Sequence, residues 1–238
     1  MASPSYLRQL ELIPPESANK LSATVIGCGA SGSATAVILA QMGVSNLSVW
    51  DFDTVEAHNL PNQAYDLCDV DKPKVEALAR VIKAKTGFDI ETHNEKVEKQ
   101  NIMPKRYVFM MVDSMKARRE IFDNCILRKS FNTDLVIETR MGPDAGRCYA
   151  FNPNSPKEVE DWKKTLYSDD NASTSACGST LSLAPTVWFL AGLGVWSMVH
   201  HFDVNYGAGF TKEKGKEIEL YGESVFQLGP VEFFSRRF

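Results

Sequence analysis

A chain of 238 residues, 44% of them hydrophobic, is long enough to bury a substantial core without metals or disulfides, and reads as one α/β domain over 1–238. Its 26 Lys and Arg against 30 Asp and Glu are interspersed, for a formal charge of −4. No basic face for a phosphate backbone is advertised, so nucleic acid is not expected as a partner. The five cysteines include no C-x-x-C pair and are odd in number, which supports neither structural zinc nor a disulfide framework and fits reduced thiols in the cytoplasm.

The N-terminal arm, residues 1–21, opens "MASPSYLRQLELIPPE", with charges and prolines where a secretory leader needs an apolar core. "ATVIG" then reads as a strand, Ser31 to Met42 as a helix, "NLSVWDF" as a second strand and Pro73 to Thr86 as an amphipathic helix, which is a βαβ beginning. "DIETHNEKV" alternates like a strand, "RYVFMMVD" is a buried strand, and Ser114 caps a helix expected to run to about Lys129. "DLVIETRM" and "RCYAF" flank the turn "GPDAG", an antiparallel hairpin. The fold class is therefore a Rossmann-like α/β domain whose mixed sheet has a parallel first half and an antiparallel second half.

Residues 153–176 are polar and rich in turn formers, with at most a short helix around Val159 to Leu166, and read as an exposed crossing loop. Leu181 to Val199 contains no charged side chain. Ser, Thr, Pro and Gly dilute it and no Lys or Arg flanks it closely, so 182–202 is expected to be a helix buried in the domain, with no membrane partner. The tail "IELYGESVFQLGPVEFF" supplies one or two edge strands.

Gly27, Gly29 and Gly32 spell G-x-G-x-x-G between a strand and a helix. In such a turn the first Gly makes the bend, the second admits a phosphate to the backbone and the third lets helix and strand pack, with helix N–H groups aimed at an anion. Asp51 ends the second strand, where a carboxylate can take ribose hydroxyls. These features alone suggest NAD and a dehydrogenase.

The continuation is more specific. "DFDTVEAHNLPNQ" resembles the D-x-D-x-V-x-x-x-N-L-x-R-Q signature of the ThiF/MoeB/HesA and ubiquitin-activating enzyme superfamily, and "DKPKVEALARVI" resembles its G-x-P-K-V segment. "YLRQ", "VDSMKAR" and "CGSTLSLAPTVWFLAGLGVWSMV" are similar to its N-terminal S-R-Q, its D-x-x-D-x-x-R region, and its Cys-containing loop with the final apolar helix. The resemblance implies ATP- and Mg²⁺-dependent adenylation of a carboxylate, usually the C-terminus of a small ubiquitin-like protein or a peptide. It places Lys74 on the phosphates, Asn59 and Gln63 as neutral hydrogen-bond donors or acceptors, Asp51 on the ribose, Asp53 beside the nucleotide and Asp113 on the metal. It also implies a homodimer in which Arg8 reaches the partner's ATP. The attacking carboxylate is already ionised, so the required work is alignment and charge neutralisation.

Two positions depart from the family pattern: Asn62 stands where an Arg is usual, and Lys116 where a second Asp is usual. Lys116 is then a candidate substitute cation for the phosphates. The rival reading is a non-catalytic nucleotide-binding subunit. Cys177 precedes the apolar helix, where a helix N-terminus lowers a thiol pKa while Asp169 and Asp170 raise it. A thioester nucleophile and an inert cysteine both stand as readings of it. Cys28, Cys68, Cys125 and Cys148 read as unreactive.

Overall fold

The computed structural model describes residues 6–9, 12–168, 182–206, 222–229 and 231–238. Short β-rich runs form β1 (Ser22–Ile26), β2 (Asn46–Trp50), β3 (Glu91–His93), β4 (Tyr107–Met110), β5 (Leu135–Met141), β6 (Ala145–Phe151), β7 (Gly222–Leu228) and β8 (Val231–Arg236). They join one sheet in the order β3-β2-β1-β4-β5-β6-β7-β8. Pairing is parallel from β3 to β5 and antiparallel from β5 to β8. The central strands are covered on both faces, which is why "YVFM" has no polar alternation: Tyr107 and Phe109 face one core while Val108 and Met110 face the other.

Helices α1 (Pro15–Ala18), α2 (Ala30–Gln41), α3 (Lys74–Thr86), α4 (Met115–Ile121), α5 (Pro156–Lys164) and α6 (Ala184–Tyr206) complete the layers. The larger core gathers residues of α2, α3 and α6, and the smaller one packs Phe122, Phe151 and Trp162 on the opposite face. The ring centroids of Phe122 and Phe151 lie 4.8 and 4.9 Å from that of Trp162. Helix α3 stops at Gly87, whose φ of +78° is the left-handed cap that glycine adopts without steric cost.

Three expectations are corrected. The helix after Ser114 is regular only to Ile121; Phe122–Ile126 widen into a π-helical turn and Leu127–Asn132 tighten into a 3₁₀ segment, because Phe122, Cys125 and Ile126 all turn into the core. The strand at "DIETHNEKV" is only three residues, ending where His93 stacks on Trp50 at 3.7 Å. The expected buried helix 182–202 is α6, and it is buried along one side only: Trp188, Phe189 and Trp196 are 43%, 45% and 45% exposed. Among the described residues, no helix is long and apolar enough to cross a membrane.

The loop before α3 is tied down by Arg80, whose guanidinium donates to Asp69 at 2.6 and 2.7 Å and to Asp66 at 2.6 Å. Burial pushes the Asp69 carboxyl up, but the hydrogen bonds from Arg80 and from the Asp66 N–H outweigh it, so its pKa is lowered on balance. A lowered folded-state pKa contributes stability that is present above the unfolded value of about 3.9 and is lost as pH falls through the folded value. Asp69→Asn is expected to cost about 1–3 kcal/mol at pH 7, with the difference from wild type closing at pH 3 and below. Urea denaturation across pH 2–7 measures it; a difference that does not change with pH would refute the assignment.

Candidate nucleotide and carboxylate site

In the strand order the chain moves outward from β1 through β2 to β3, then returns to β4 on the other side of β1. The crevice beyond the carboxyl ends of β1 and β4 is the switch point at which open α/β sheets bind ligands. Gly27 follows β1, with a φ of +89°, and Met111 follows β4. A Cβ on Gly27 would stand 2.7 Å from the Met111 carbonyl oxygen, and one on Gly32 would collide with the Gly27 carbonyl oxygen. Gly29 has nothing within 4 Å of the same position. Two glycines thus allow backbone to approach backbone, and the middle one leaves space on the cleft side. Gly29 is also the N-cap of α2 and offers no side-chain cap, so the first N–H groups of that helix are left for an anion.

Asp51, 9% exposed, holds the turn: its carboxylate accepts the N–H of Cys28 at 2.6 Å and that of Asp53 at 2.8 Å. A carboxylate has about four acceptor positions, so two remain for ribose hydroxyls. Tyr65 donates its hydroxyl to the Cys28 carbonyl at 2.6 Å. Cys28 itself is fully buried, and burial pushes its thiol well above the usual range, with Asp51 adding to the shift. Burial also raises Cys125 and pushes Cys148 up to about 12, whereas Cys68 is exposed.

Lys74 opens α3, its N–H bonded to the Asp53 carbonyl at 2.9 Å, and its ammonium is buried against the Asp53 carboxylate at 3.0 Å. Asn59 closes a short 3₁₀ turn with its Oδ1 accepting the Glu56 N–H at 3.1 Å, while Gln63 has a buried Oε1 with no hydrogen-bond partner. The open space at Gly29 and the uncapped helix fit a polyphosphate, and the orphaned acceptor of Gln63 fits a donor elsewhere on a nucleotide, a ribose hydroxyl or the base amine. Asp113 is an exposed carboxylate at the end of β4, and Mg²⁺ commonly takes only one or two protein carboxylates.

Gly27, Gly29, Asp51, Asp53, Asn59, Gln63, Lys74 and Asp113 all line one cleft of about 1660 Å³. That exceeds the roughly 300–1,000 Å³ of small-molecule pockets. The same cleft continues past the nucleotide residues along Gly142, Pro143 and Ala145 to Arg147 and along residues of β7 and β8, a stretch that forms its far lobe. Arg8 sits in an exposed 3₁₀ turn, Leu7–Gln9, outside this cleft, and the turn is pinned by Gln9 donating to the Met42 carbonyl at 2.7 Å. Lys116 is not brought to the site: its side chain is 77% exposed and pairs with Glu120. It lies in the first turn of α4, outside the cleft lining. Asn62 does line the cleft and donates to Ser182, two residues before α6. Cys177 lies outside the described residues.

The sequence motifs did not single out Arg118 and Glu138. Arg118, inside "VDSMKAR", pairs with the buried Glu138 at 2.8 Å and donates to the carbonyls of Asp113 and Thr139, both at 3.0 Å. Glu138 also takes Arg140 at 2.8 Å and the Trp162 indole N–H at 3.1 Å. The presence of Arg118 within a motif was the only available signal.

Comparison with known proteins adds to this geometry. The adenylyltransferase and sulfurtransferase MOCS3 of Aedes aegypti is 26% identical over 153 residues, 58% of this chain and 35% of that protein. The molybdopterin-synthase adenylyltransferase of Haemophilus influenzae is 34% identical over 105 residues, 41% of this chain and 43% of its own length. The matched stretches thus cover less than half the length of each of these curated relatives. Among solved structures, PaaA matches with a TM-score of 0.67 at 20% identity, covering 94% of this chain and 66% of PaaA. MccB of E. coli with ATP matches with a TM-score of 0.66 at 15% identity, covering 94% of this chain and 65% of MccB. These two likenesses speak to the fold, a ThiF-type Rossmann-like domain. The ThiF family model matches residues 6–218, and the chain belongs to the ThiF family.

Proposed function

We propose that this protein uses ATP and Mg²⁺ to adenylate a carboxylate, the C-terminus of a small ubiquitin-like protein or a peptide. The observation that carries the reading is the single cleft of about 1660 Å³ that joins Lys74, Gln63 and the glycine turn to the far lobe along β6, β7 and β8. Solved relatives include MccB bound to AMPCPP and MccA, which supports a nucleotide and a second chain meeting on this fold. In the reaction, Lys74 neutralises charge growing on the phosphates, the amide NH₂ groups of Asn59 and Gln63 donate to and orient them, and Asp51 fixes the ribose through a turn it already braces. Asp113 and Asp53 are the carboxylates at hand for Mg²⁺, which when bound offsets phosphate charge. A thioester on Cys177 is a second step of the same reading, visible as a reductant-sensitive complex lost in Cys177→Ala.

The assay is exchange of labelled pyrophosphate into ATP, dependent on a carboxylate partner and on Mg²⁺. Hydride transfer with NAD and no exchange would establish the dehydrogenase instead; nucleotide binding without exchange would establish the non-catalytic subunit. Arg8 is exposed and outside its own cleft, which suits a homodimer in which it completes the partner's site. Arg8→Ala and Lys74→Ala are each expected to be inactive, yet mixed dimers carry one intact site of two. Random re-association makes about half the dimers mixed, so about a quarter of sites recover. A mixture that stays inactive while subunits exchange would refute the composite site.

A further inference from the structure

The far lobe carries an arrangement that the adenylation chemistry does not use. Arg140 on β5 and Arg147 on β6 are directly opposite each other in the antiparallel ladder. Like charges in that position repel, so a fold keeps them only where something else compensates. Each is held by a carboxylate from the next row on the same face. Arg140 is buried and its guanidinium is spent on Glu138, the Thr165 carbonyl and hydroxyl, and the Tyr149 ring. Arg147 is different: its side chain is 53% exposed, and one nitrogen donates to Glu223 at 2.6 Å.

Glu223 is itself shared, taking Arg236 at 2.7 Å and the Tyr149 hydroxyl at 2.8 Å as well as Arg147. Burial pushes the Glu223 carboxyl up, but the hydrogen bonds from Tyr149 and Arg147 and the nearby guanidinium charges bring it down on balance, so it stays ionised. Two guanidinium groups on one carboxylate recur at Glu138, which holds Arg118 and Arg140. Around this end of the cleft Arg118, Arg140, Arg147 and Arg236 stand among Glu120, Glu138, Glu223 and Glu232, so the charges balance in number and what singles out Arg147 is its exposure on the cleft lining. Arg147 is the member of that set with N–H donors to spare at the cleft wall, and an Arg fork is matched by a carboxylate. Its neighbours along the same row are Val225 and Phe234, the latter 59% exposed.

We propose that the far lobe receives an acidic side chain of the activated partner's C-terminal segment, a carboxylate clasped by Arg147, with an adjoining apolar side chain against Val225 and Phe234. This rests on the adenylation reading and narrows its substrate to partners with an acidic residue shortly before the reactive terminus. The nucleotide lobe and the far lobe then divide the work: one holds the reacting carboxylate, the other reads a second one upstream.

The test uses the full-length protein and three fluorescein-labelled octapeptides with free Gly-Gly carboxyl ends, differing only in two upstream positions that are both Glu, both Gln or both Lys. Because the terminal carboxylate is common to all, fluorescence anisotropy differences report the side chains. The Glu peptide is expected to bind about tenfold more tightly than the Gln peptide and more tightly still than the Lys peptide, with the gap shrinking as salt is raised. Arg147→Glu should reverse the order, and Arg147→Gln, which leaves the Glu223–Arg236 pair intact, should abolish the preference without altering the melting temperature by more than a few degrees. Equal binding of the three peptides, no binding by any of them, or a preference that survives in both variants overturns the proposal. The same series in Lys74→Ala keeps the two readings apart: the preference should persist there. Its presence without pyrophosphate exchange in wild type would sink adenylation and leave the acidic-segment site standing.

Discussion

Replacing Lys74 by alanine is expected to lower ATP–pyrophosphate exchange by on the order of 10²-fold or more, the size of effect seen when a preorganised electrostatic stabiliser is removed. The folded state should hardly notice. Alanine is the better helix former at the start of α3, and the carboxylate left behind, Asp53, is 52% exposed and so returns to water. Activity and stability therefore separate: the melting temperature should stay within a few degrees while exchange is lost. A variant that keeps exchange within a few-fold of wild type would remove Lys74 from the phosphates.

The largest stability loss is expected from Glu138→Gln. The substitution keeps the shape and an acceptor for the Trp162 indole but removes the charge shared by Arg118 and Arg140, all three side chains being buried. Uncompensated buried cations cost about 3–5 kcal/mol, measurable as a lower urea midpoint. Because Arg118 also donates to the Asp113 carbonyl, the same variant should need more Mg²⁺ for exchange than wild type. A stability change below about 1 kcal/mol would mean that solvent reaches this cluster and screens it.

What the sequence made legible was local. The glycine turn could be read because each of Gly27, Gly29 and Gly32 answers to backbone space within one strand, one turn and one helix. Lys74 and Gln63 were legible as members of an ordered motif, although neither is unusual alone. The hairpin at "GPDAG" was legible from turn chemistry. The Glu138 cluster was not, since Arg118 and Trp162 reach Glu138 only after β5 has taken its place beside β4 and α5 has folded over the sheet. The break in the helix after Ser114 was hidden for a related reason: Phe122, Cys125 and Ile126 keep an apolar spacing that an α-helix also satisfies, and only the packing against Trp162 selects the wider turn. The outward course of Lys116 likewise follows from the direction of α4, which spacing from Asp113 does not encode.

The single continuous sheet has a metric consequence. The nucleotide end of the cleft lies at β4 and its far wall at β8, with β5, β6 and β7 hydrogen-bonded in between. Neighbouring strands are about 4.8 Å apart, so four steps make roughly 19 Å, a length set by backbone hydrogen bonds and therefore indifferent to side-chain substitutions. An extended chain advances about 3.3 Å per residue, so roughly six residues cover that span. The sheet thus works as a ruler laid across the cleft. For the proposed adenylation, a carboxylate delivered from the β8 side would arrive on a tail of about that length, and a partner's reach would be as much a part of its recognition as its chemistry.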